Sequence, residues 1–262
     1  ISIKYGFMGP NFSTVSACAS AANAIIDSLN YIRMGHADII VSGGSEAAIT
    51  IAGIGGFNSM HALSTKNDDP KSASRPFDKN RDGFVIGEGA GVLLLEDFEH
   101  ARKRKAKIYA EVSGYGLSCD AYHITSPAPD GEGAQRCMLA AIKSAGISTK
   151  DIDYINAHGT STQYNDVNET MAIKKICGEH AYNTAISSTK GVMGHCLGAA
   201  GGIEGVLLAK TIAEGIIPPT ANLETPDPKC DLDYVRSGKR NKIVNYVISG
   251  KWRGAYPLSR FF

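Results

Sequence analysis

Short runs rich in aliphatic and β-branched residues alternate with helical runs along the whole chain, and polar residues stand just past the ends of those short runs. This alternation confines the chain to layered sheets and helices, an α/β architecture. Open α/β sheets carry their sites beyond the C-terminal ends of strands, so the residues there are the first candidates for chemistry. In a first cycle, Asn11 to Ala17 reads as a strand entering a turn. Cys18 to Arg33 has apolar Ala22, Ile25, Ile26, Leu29 and Ile32 at helical spacing. Ala37 to Val41 reads as a short buried strand closed by Ser42-Gly43-Gly44. Residues 61–83, with Pro70 and Pro76, form a long loop, Gly91 to Leu95 a strand, and Glu96 to Lys105 a charged surface helix.

A second cycle begins near residue 106. It reads as a strand over Ile108 to Leu117, a helix over Glu132 to Ala145, and a strand over Asp153 to Ala157 ending in His158-Gly159-Thr160. A helix over Asp166 to Cys177 and a strand over Thr184 to Ser187 follow, the latter ending in Ser188-Thr189-Lys190. Gly198 to Ala213 is helical, Ile216 to Pro228 is Pro-rich loop, and Ile243 to Ser249 is a last strand. Two similar cycles without a short period exclude a solenoid.

Composition narrows the function classes. The 27 Lys+Arg and 26 Asp+Glu of the 262 residues leave a net charge of +1, which argues against a dedicated nucleic-acid binder. No apolar run reaches the ~18 residues of a membrane span, and no signal peptide is visible. The six cysteines have irregular spacing without a CxxC, which reads as free thiols in a reducing compartment. The chain starts at Ile1 and not at Met, which reads as a fragment.

Cys18 lies in Ser16-Ala17-Cys18-Ala19-Ser20, between the first strand and the first turn of a long apolar helix. A helix N-terminus offers partial positive charge and unpaired N–H groups, which stabilise a thiolate and can hold an oxyanion. The alternative is a small buried core cysteine. His158 ends a strand beside Gly159 and three hydroxyl residues, and taken alone it reads as a structural histidine. Lys190 and His195 share one Gly-rich turn ahead of Gly198-Ala199-Ala200-Gly201-Gly202, a run that packs backbone closely against another helix. The glycines and lysine are in the wrong order for a P-loop, and Gly87-Glu88-Gly89-Ala90-Gly91 lacks the context of a dinucleotide fingerprint. Asp166 and Glu169 have the spacing of a capping box. Cys177 and His180 offer half a metal site, and no second pair has ligand spacing. Asp78, Arg81 and Asp82 read as loop salt bridges.

Taken together, these segments resemble the elongating, type II β-ketoacyl-[acyl-carrier-protein] synthases of the thiolase superfamily. The resemblance runs in order through Gly9-Pro10-Asn11, Ala17 to Ser20, Ser42 to Glu46, Arg75 to Asp78, Arg81 to Val85 with Gly87 to Gly91, Asn156 to Thr162, Ser187 to Gly202, and Ile217 to Thr220. It implies a thiolase-like αβαβα layered fold of two similar halves, the first incomplete: residues 1–105 carry the nucleophile, 106–249 carry the His/Lys/His loops, and 250–262 are an atypical tail. It implies catalytic Cys18, His158 and His195, with Lys190 supporting the histidines and Glu169 near it. Thr160 and Thr162 would bind the phosphopantetheine arm of an acyl carrier protein, and Phe57 would line the acyl pocket. The implied reaction is decarboxylative Claisen condensation of malonyl-carrier with an acyl group on Cys18. It uses no cofactor and no metal, in a cytoplasmic homodimer (or a plastid or mitochondrial interior in a eukaryote), with no nucleic acid and no membrane insertion. A polyketide ketosynthase shares every motif named. A chain-length factor would lack Cys18, and a Cys–His hydrolase has no role for Lys190. Beyond Ser249 the family pattern Asn-Ser-Phe-Gly-Phe-Gly-Gly gives way to Gly250-Lys251-Trp252-Arg253, so an inactive fragment is a further reading.

Overall fold

The structure is a computed structural model that describes residues 1–123, 127–236, 238 and 240–249, with the backbone of 256–259. In chain order the helices are α1 (Ser2–Tyr5), α2 (Ser20–Arg33), α3 (Ile51–Ser59), α4 (Phe98–Lys103), α5 (Glu132–Ala145), α6 (Gln163–Cys177), α7 (Lys190–Met193) and α8 (Ala200–Glu214). The strands are β1 (Ile39–Glu46), β2 (Gly89–Glu96), β3 (Glu111–Val112), β4 (Tyr154–Asn156), β5 (Ala185–Ser187), β6 (Ile216–Ile217), β7 (Arg240–Asn241), β8 (Tyr246–Ser249) and β9 (Tyr256–Ser259).

Three adjacent strands in the order β8-β4-β5 run parallel, and β9 and β3 extend that five-stranded sheet antiparallel beyond β8. Side chains alternate across this sheet with the period of two that a strand imposes. Tyr154 and Val247 face one apolar cluster with Ala22 and Ile25 of α2 and Leu208 and Ile212 of α8. Ile155, Ile186 and Ile248 face a second cluster with Cys137, Met138 and Ala141 of α5 and Ala172 and Ile173 of α6. Helices α2 and α8 therefore lie between this sheet and the antiparallel pair β1–β2, which contributes Leu95 to the first cluster. Ile39, Val41, Val92 and Leu94 are exposed on β1 and β2. The layering is that of the expected fold with its first half incomplete.

The middle layer is tight because glycine permits backbone contact. A Cβ on Gly202 would lie 2.3 Å from the Gly91 carbonyl oxygen, and one on Gly201 would lie 2.6 Å from the Ala22 nitrogen. The Gly-Ala-Ala-Gly-Gly run thus meets both a helix and a strand. In α2, Ala22, Ile25, Ile26 and Leu29 are buried, as the spacing requires. Each of the large ones is worth about 1.5–3 kcal/mol of burial.

Several segments differ from the sequence reading. Residues 11–16 form no strand, and Ala17–Ala19 is a 3-10 turn ahead of α2. Strand β1 continues through Ser42-Gly43-Gly44 to Glu46 because the glycines pair with Val92 and Gly91 instead of turning. The strand foreseen over 108–117 shrinks to Glu111–Val112, and the Pro-rich loop contains the short β6. Tail residues Tyr256–Ser259 pair with both β8 and β3.

Candidate active site

The parallel strands β8, β4 and β5 end in register at Ser249, Asn156 and Ser187. The connections leaving β4 and β5 carry His158 and the Lys190–His195 turn, so one sheet end delivers both. Cys18 arrives from the middle layer, in the turn that opens α2. Ala17 adopts φ 51°, a left-handed conformation that costs a non-glycine residue roughly 1–2 kcal/mol, and it turns the chain sharply into α2.

These elements converge on one cluster. The Cys18 sulfur and a ring nitrogen of each of His158 and His195 all lie within 4.8 Å of one another. His195 Nε2 is 3.0 Å from Cys18 Sγ. The imidazoles of His158 and His195 meet edge to face, with centroids 5.2 Å apart. Cys18 is half-buried and both histidines are buried, so the sulfur is the accessible member.

The His195 backbone is fixed on both sides: its N–H donates to the Val85 carbonyl at 2.7 Å, and its own carbonyl accepts from Gly87 N–H at 3.0 Å. The Leu197 N–H donates to His195 Nδ1 at 3.2 Å. A neutral imidazole has one proton, so an accepting Nδ1 leaves that proton on Nε2, facing sulfur. In this tautomer His195 Nε2 is set as a hydrogen-bond donor to an anion.

Glu169 does not cap its own helix. Thr162 is the N-cap of α6, its side chain accepting from Asn165 N–H, which corrects the capping-box reading of Asp166 and Glu169. Glu169 reaches back from α6 instead: Oε1 accepts from His158 N–H at 2.7 Å and Oε2 from Gly159 N–H at 2.8 Å. Burial pushes its carboxyl up to about 7, against the two backbone N–H groups and the Lys190 charge, which favour the carboxylate. Gly159, at φ 40°, has no room for a side chain, since a Cβ would lie 2.5 Å from the Ser188 Cβ.

Lys190 is 2% exposed, and its Nζ pairs with Glu204 Oε1 at 2.6 Å. Glu204, on α8, was not among the candidates. Its signal is a lone acid in Gly201-Gly202-Ile203-Glu204-Gly205, where a charge among small packed residues needs a buried partner. The hydroxyls of Thr160 and Thr162 bond each other at 2.9 Å. Phe57 is half-buried; its ring meets Phe84 edge on at 5.2 Å, and Phe84 meets His195 the same way at 5.3 Å. Phe84 stands in the Arg81 to Val85 segment of the resemblance, without a site role read from the sequence.

Other candidates stand apart. Cys177 ends α6 with its thiol raised to about 11 by burial, while His180 turns its Nε2 to the Ile152 carbonyl. Arg81 is a buried tie: it pairs with Asp227 at 2.7 Å and donates to the carbonyls of Thr162 and Gln163. Asp82 makes hydrogen bonds to Ser64 and Thr65, not the salt bridge read from the sequence.

A thiol, two histidines and a buried lysine gather at the sheet ends of a layered α/β fold, the arrangement that the resemblance to the thiolase superfamily implies. The β-ketoacyl synthase N-terminal domain matches residues 1–101 and the C-terminal domain residues 109–224. The chain belongs to the β-ketoacyl synthase family. It is 55% identical over 250 residues to the 3-oxoacyl-[acyl-carrier-protein] synthase 2 of Synechocystis sp., covering 95% of this chain and 60% of the relative. It is 49% identical over 267 residues to the protein of the same name from Coxiella burnetii, covering 100% of this chain and 64% of that one. The chain thus spans about three-fifths of the length of these relatives. Among solved structures it resembles a type II polyketide ketosynthase in complex with its acyl-carrier protein and bound to a hexaketide, at 39% identity and TM-score 0.97, covering 100% of this chain and 65% of that one. A β-ketoacyl synthase from Burkholderia phymatum matches at 36% identity and TM-score 0.93, covering 100% and 64%.

Proposed function

We propose that this site carries the decarboxylative Claisen condensation of fatty-acid elongation, as a 3-oxoacyl-[acyl-carrier-protein] synthase. The observation that carries the reading is the convergence of Cys18, His158 and His195 within 4.8 Å, with the His195 Nε2 proton facing sulfur. The Cys18 thiolate, held by that proton and by the N-terminus of α2, attacks the carbonyl of an acyl thioester. A C–S bond forms to Cys18, and the carrier thiolate leaves. Malonyl-carrier then loses carbon dioxide: the C–C bond breaks and its electron pair passes into an enolate. The enolate oxygen needs donors and no external base, and the two imidazoles supply them. The enolate carbon attacks acyl-Cys18, forming the new C–C bond and returning the thiolate.

The remaining roles are those that the family resemblance implies, supported by position. Lys190, neutralised by Glu204, and Glu169, bonded to the backbone of His158, keep the two histidines in place. Thr160 and Thr162 bind the phosphopantetheine arm and Phe57 borders the acyl chain. The partners are an acyl carrier protein, as in the polyketide ketosynthase complex, and a second copy of the protein, in the cytoplasm. Neither cofactor nor metal takes part. Among the described residues, no helix is long and apolar enough to cross a membrane.

A polyketide ketosynthase is the second reading, favoured by the likeness to the hexaketide-bound enzyme. The test is release of labelled carbon dioxide from malonyl-carrier with an acyl-carrier acceptor, followed by analysis of the product. One condensation per saturated acyl primer supports elongation, and repeated condensation without reduction supports the polyketide reading. Condensation product that still forms in Cys18→Ala, or carbon dioxide release that survives the joint replacement of His158 and His195 by alanine, would overturn both.

A further inference from the structure

A strained residue, Ala17, precedes Cys18, and one side chain holds both of its flanks. Ser20 Oγ accepts from Ser16 N–H at 2.9 Å and donates to the Ala17 carbonyl at 2.7 Å. The Ser20 N–H reaches the same carbonyl. Around this pair, Thr14 Oγ1 donates to the Ser20 carbonyl at 2.8 Å and Asn23 Nδ2 donates to Ser16 Oγ at 2.7 Å. Residues 14–16, which pair with no strand, thus give their polar groups to the start of α2.

We propose that Ser20 is a positioning residue for Cys18: its hydroxyl closes a clasp across Ala17 that sets the direction of both the thiol and the Cys18 N–H. The argument is geometric. Ala17 sits at φ 51°, where an alanine persists only if its surroundings hold it. The peptide joining Ala17 to Cys18 is planar and trans, so its carbonyl and its N–H point opposite ways. Fixing the Ala17 carbonyl on Ser20 therefore fixes the direction of the Cys18 N–H, the backbone donor an attacked carbonyl would meet first. The same turn sets the sulfur 3.0 Å from His195 Nε2. Release of the clasp lets Ala17 relax towards negative φ and swings the Cys18 sulfur away from His195 Nε2.

The clasp also faces the opposite half of the molecule. A Cβ on Gly198 would lie 3.7 Å from Ser20 Cβ and Oγ, and 3.0 Å from Glu46 Oε2. The Gly198 N–H donates to that same Glu46 oxygen at 3.0 Å. The titratable groups around the thiol are His195 in direct contact and His158 within 4.8 Å, with the Glu46 carboxylate near Ser20 across Gly198.

The test reads the thiol and not the condensation, so it stands or fails independently of the proposed reaction. The rate of iodoacetamide labelling at each cysteine is followed against pH in the full chain. Cys119 serves as the exposed reference, and Cys137 and Cys177 as buried ones. Ser20→Ala is expected to slow Cys18 labelling roughly tenfold below the midpoint of its pH profile, the effect of a rise of about one pH unit in that midpoint. Cys119 keeps its rate, and Ser20→Thr, which retains the hydroxyl, keeps the wild-type profile. An unchanged Cys18 rate and profile in Ser20→Ala would overturn the assignment. So would accelerated labelling of Cys137 and Cys177, since that marks general loss of the fold and not a local role.

Discussion

The Leu197 N–H donates to His195 Nδ1, and through that bond a residue outside the reacting cluster decides which face of the imidazole carries the proton. Nitrogen NMR of imidazole-labelled protein reads this directly. The His195 Nε2 is expected to be protonated and Nδ1 unprotonated at neutral pH, in the absence of any substrate. A signal from a protonated Nδ1 with a bare Nε2 would show the opposite tautomer and remove the donor from the sulfur.

Among the six cysteines, Cys18 is expected to be alkylated first. Burial pushes the Cys177 and Cys230 thiols up to about 11, while Cys137 and Cys196 are buried. Cys119 is exposed and is the relevant competitor. Peptide mapping after brief iodoacetamide treatment near neutral pH is expected to favour Cys18 by roughly tenfold, the advantage of a stabilised thiolate. Preferential modification of Cys119 contradicts this.

Two charges at 2% and 1% exposure make Lys190 and Glu204 a buried ion pair. Removing either partner strands the other, so Lys190→Ala and Glu204→Ala are each expected to cost about 3–5 kcal/mol in urea unfolding. The double replacement Lys190→Met with Glu204→Leu strands nothing and is expected to recover most of that loss. Additive losses in the double variant would show that the two charges do not depend on each other.

Glu169 couples stability to pH. Its carboxyl is raised from 4.5 to about 7 in the folded protein, so between those values the folded state binds a proton that the unfolded chain has released. Stability from this group is complete below the lower value and declines as pH rises through the upper one. Glu169→Gln cannot titrate and is expected to flatten that decline when unfolding is measured from about pH 5 to about pH 8. An identical slope in the variant would assign the decline to other groups.

Local chemistry made some elements legible and hid others. The bounds of α5 stand in the sequence because apolar positions recur at helical spacing and Gly146 takes the left-handed C-cap. The loops after β4 and β5 are equally visible, since strand ends and glycines mark where His158, Lys190 and His195 emerge, and the apolar spacing of α2 places Cys18 just ahead of it. Asn11 to Ala17 misleads because a run of hydroxyl and apolar residues suits a strand, yet Ser20 and Asn23 take up its polar groups through the clasp. The Asp166–Glu169 spacing fits a cap, but Thr162 holds that place and frees Glu169 for the His158 loop. Glu204 was missed for a different reason: its partner is 14 residues away, on a connection whose path only the packed sheet determines. The tail strand β9 pairs by backbone with β3 and β8, a partnership with no side-chain signature.

The contact between Gly91 and Gly202 has a consequence for how such chains can be recombined. Gly91 belongs to the half bearing the nucleophile and Gly202 to the half bearing the histidines, and their backbones touch with no space for a side chain on either. Each half therefore carries a constraint that only the other half explains. A chimera that joins residues 1–105 of one family member to residues 106–249 of another preserves the spacing between Cys18 and His195 only if both glycines are inherited together. The seam makes the two halves a single hereditary unit.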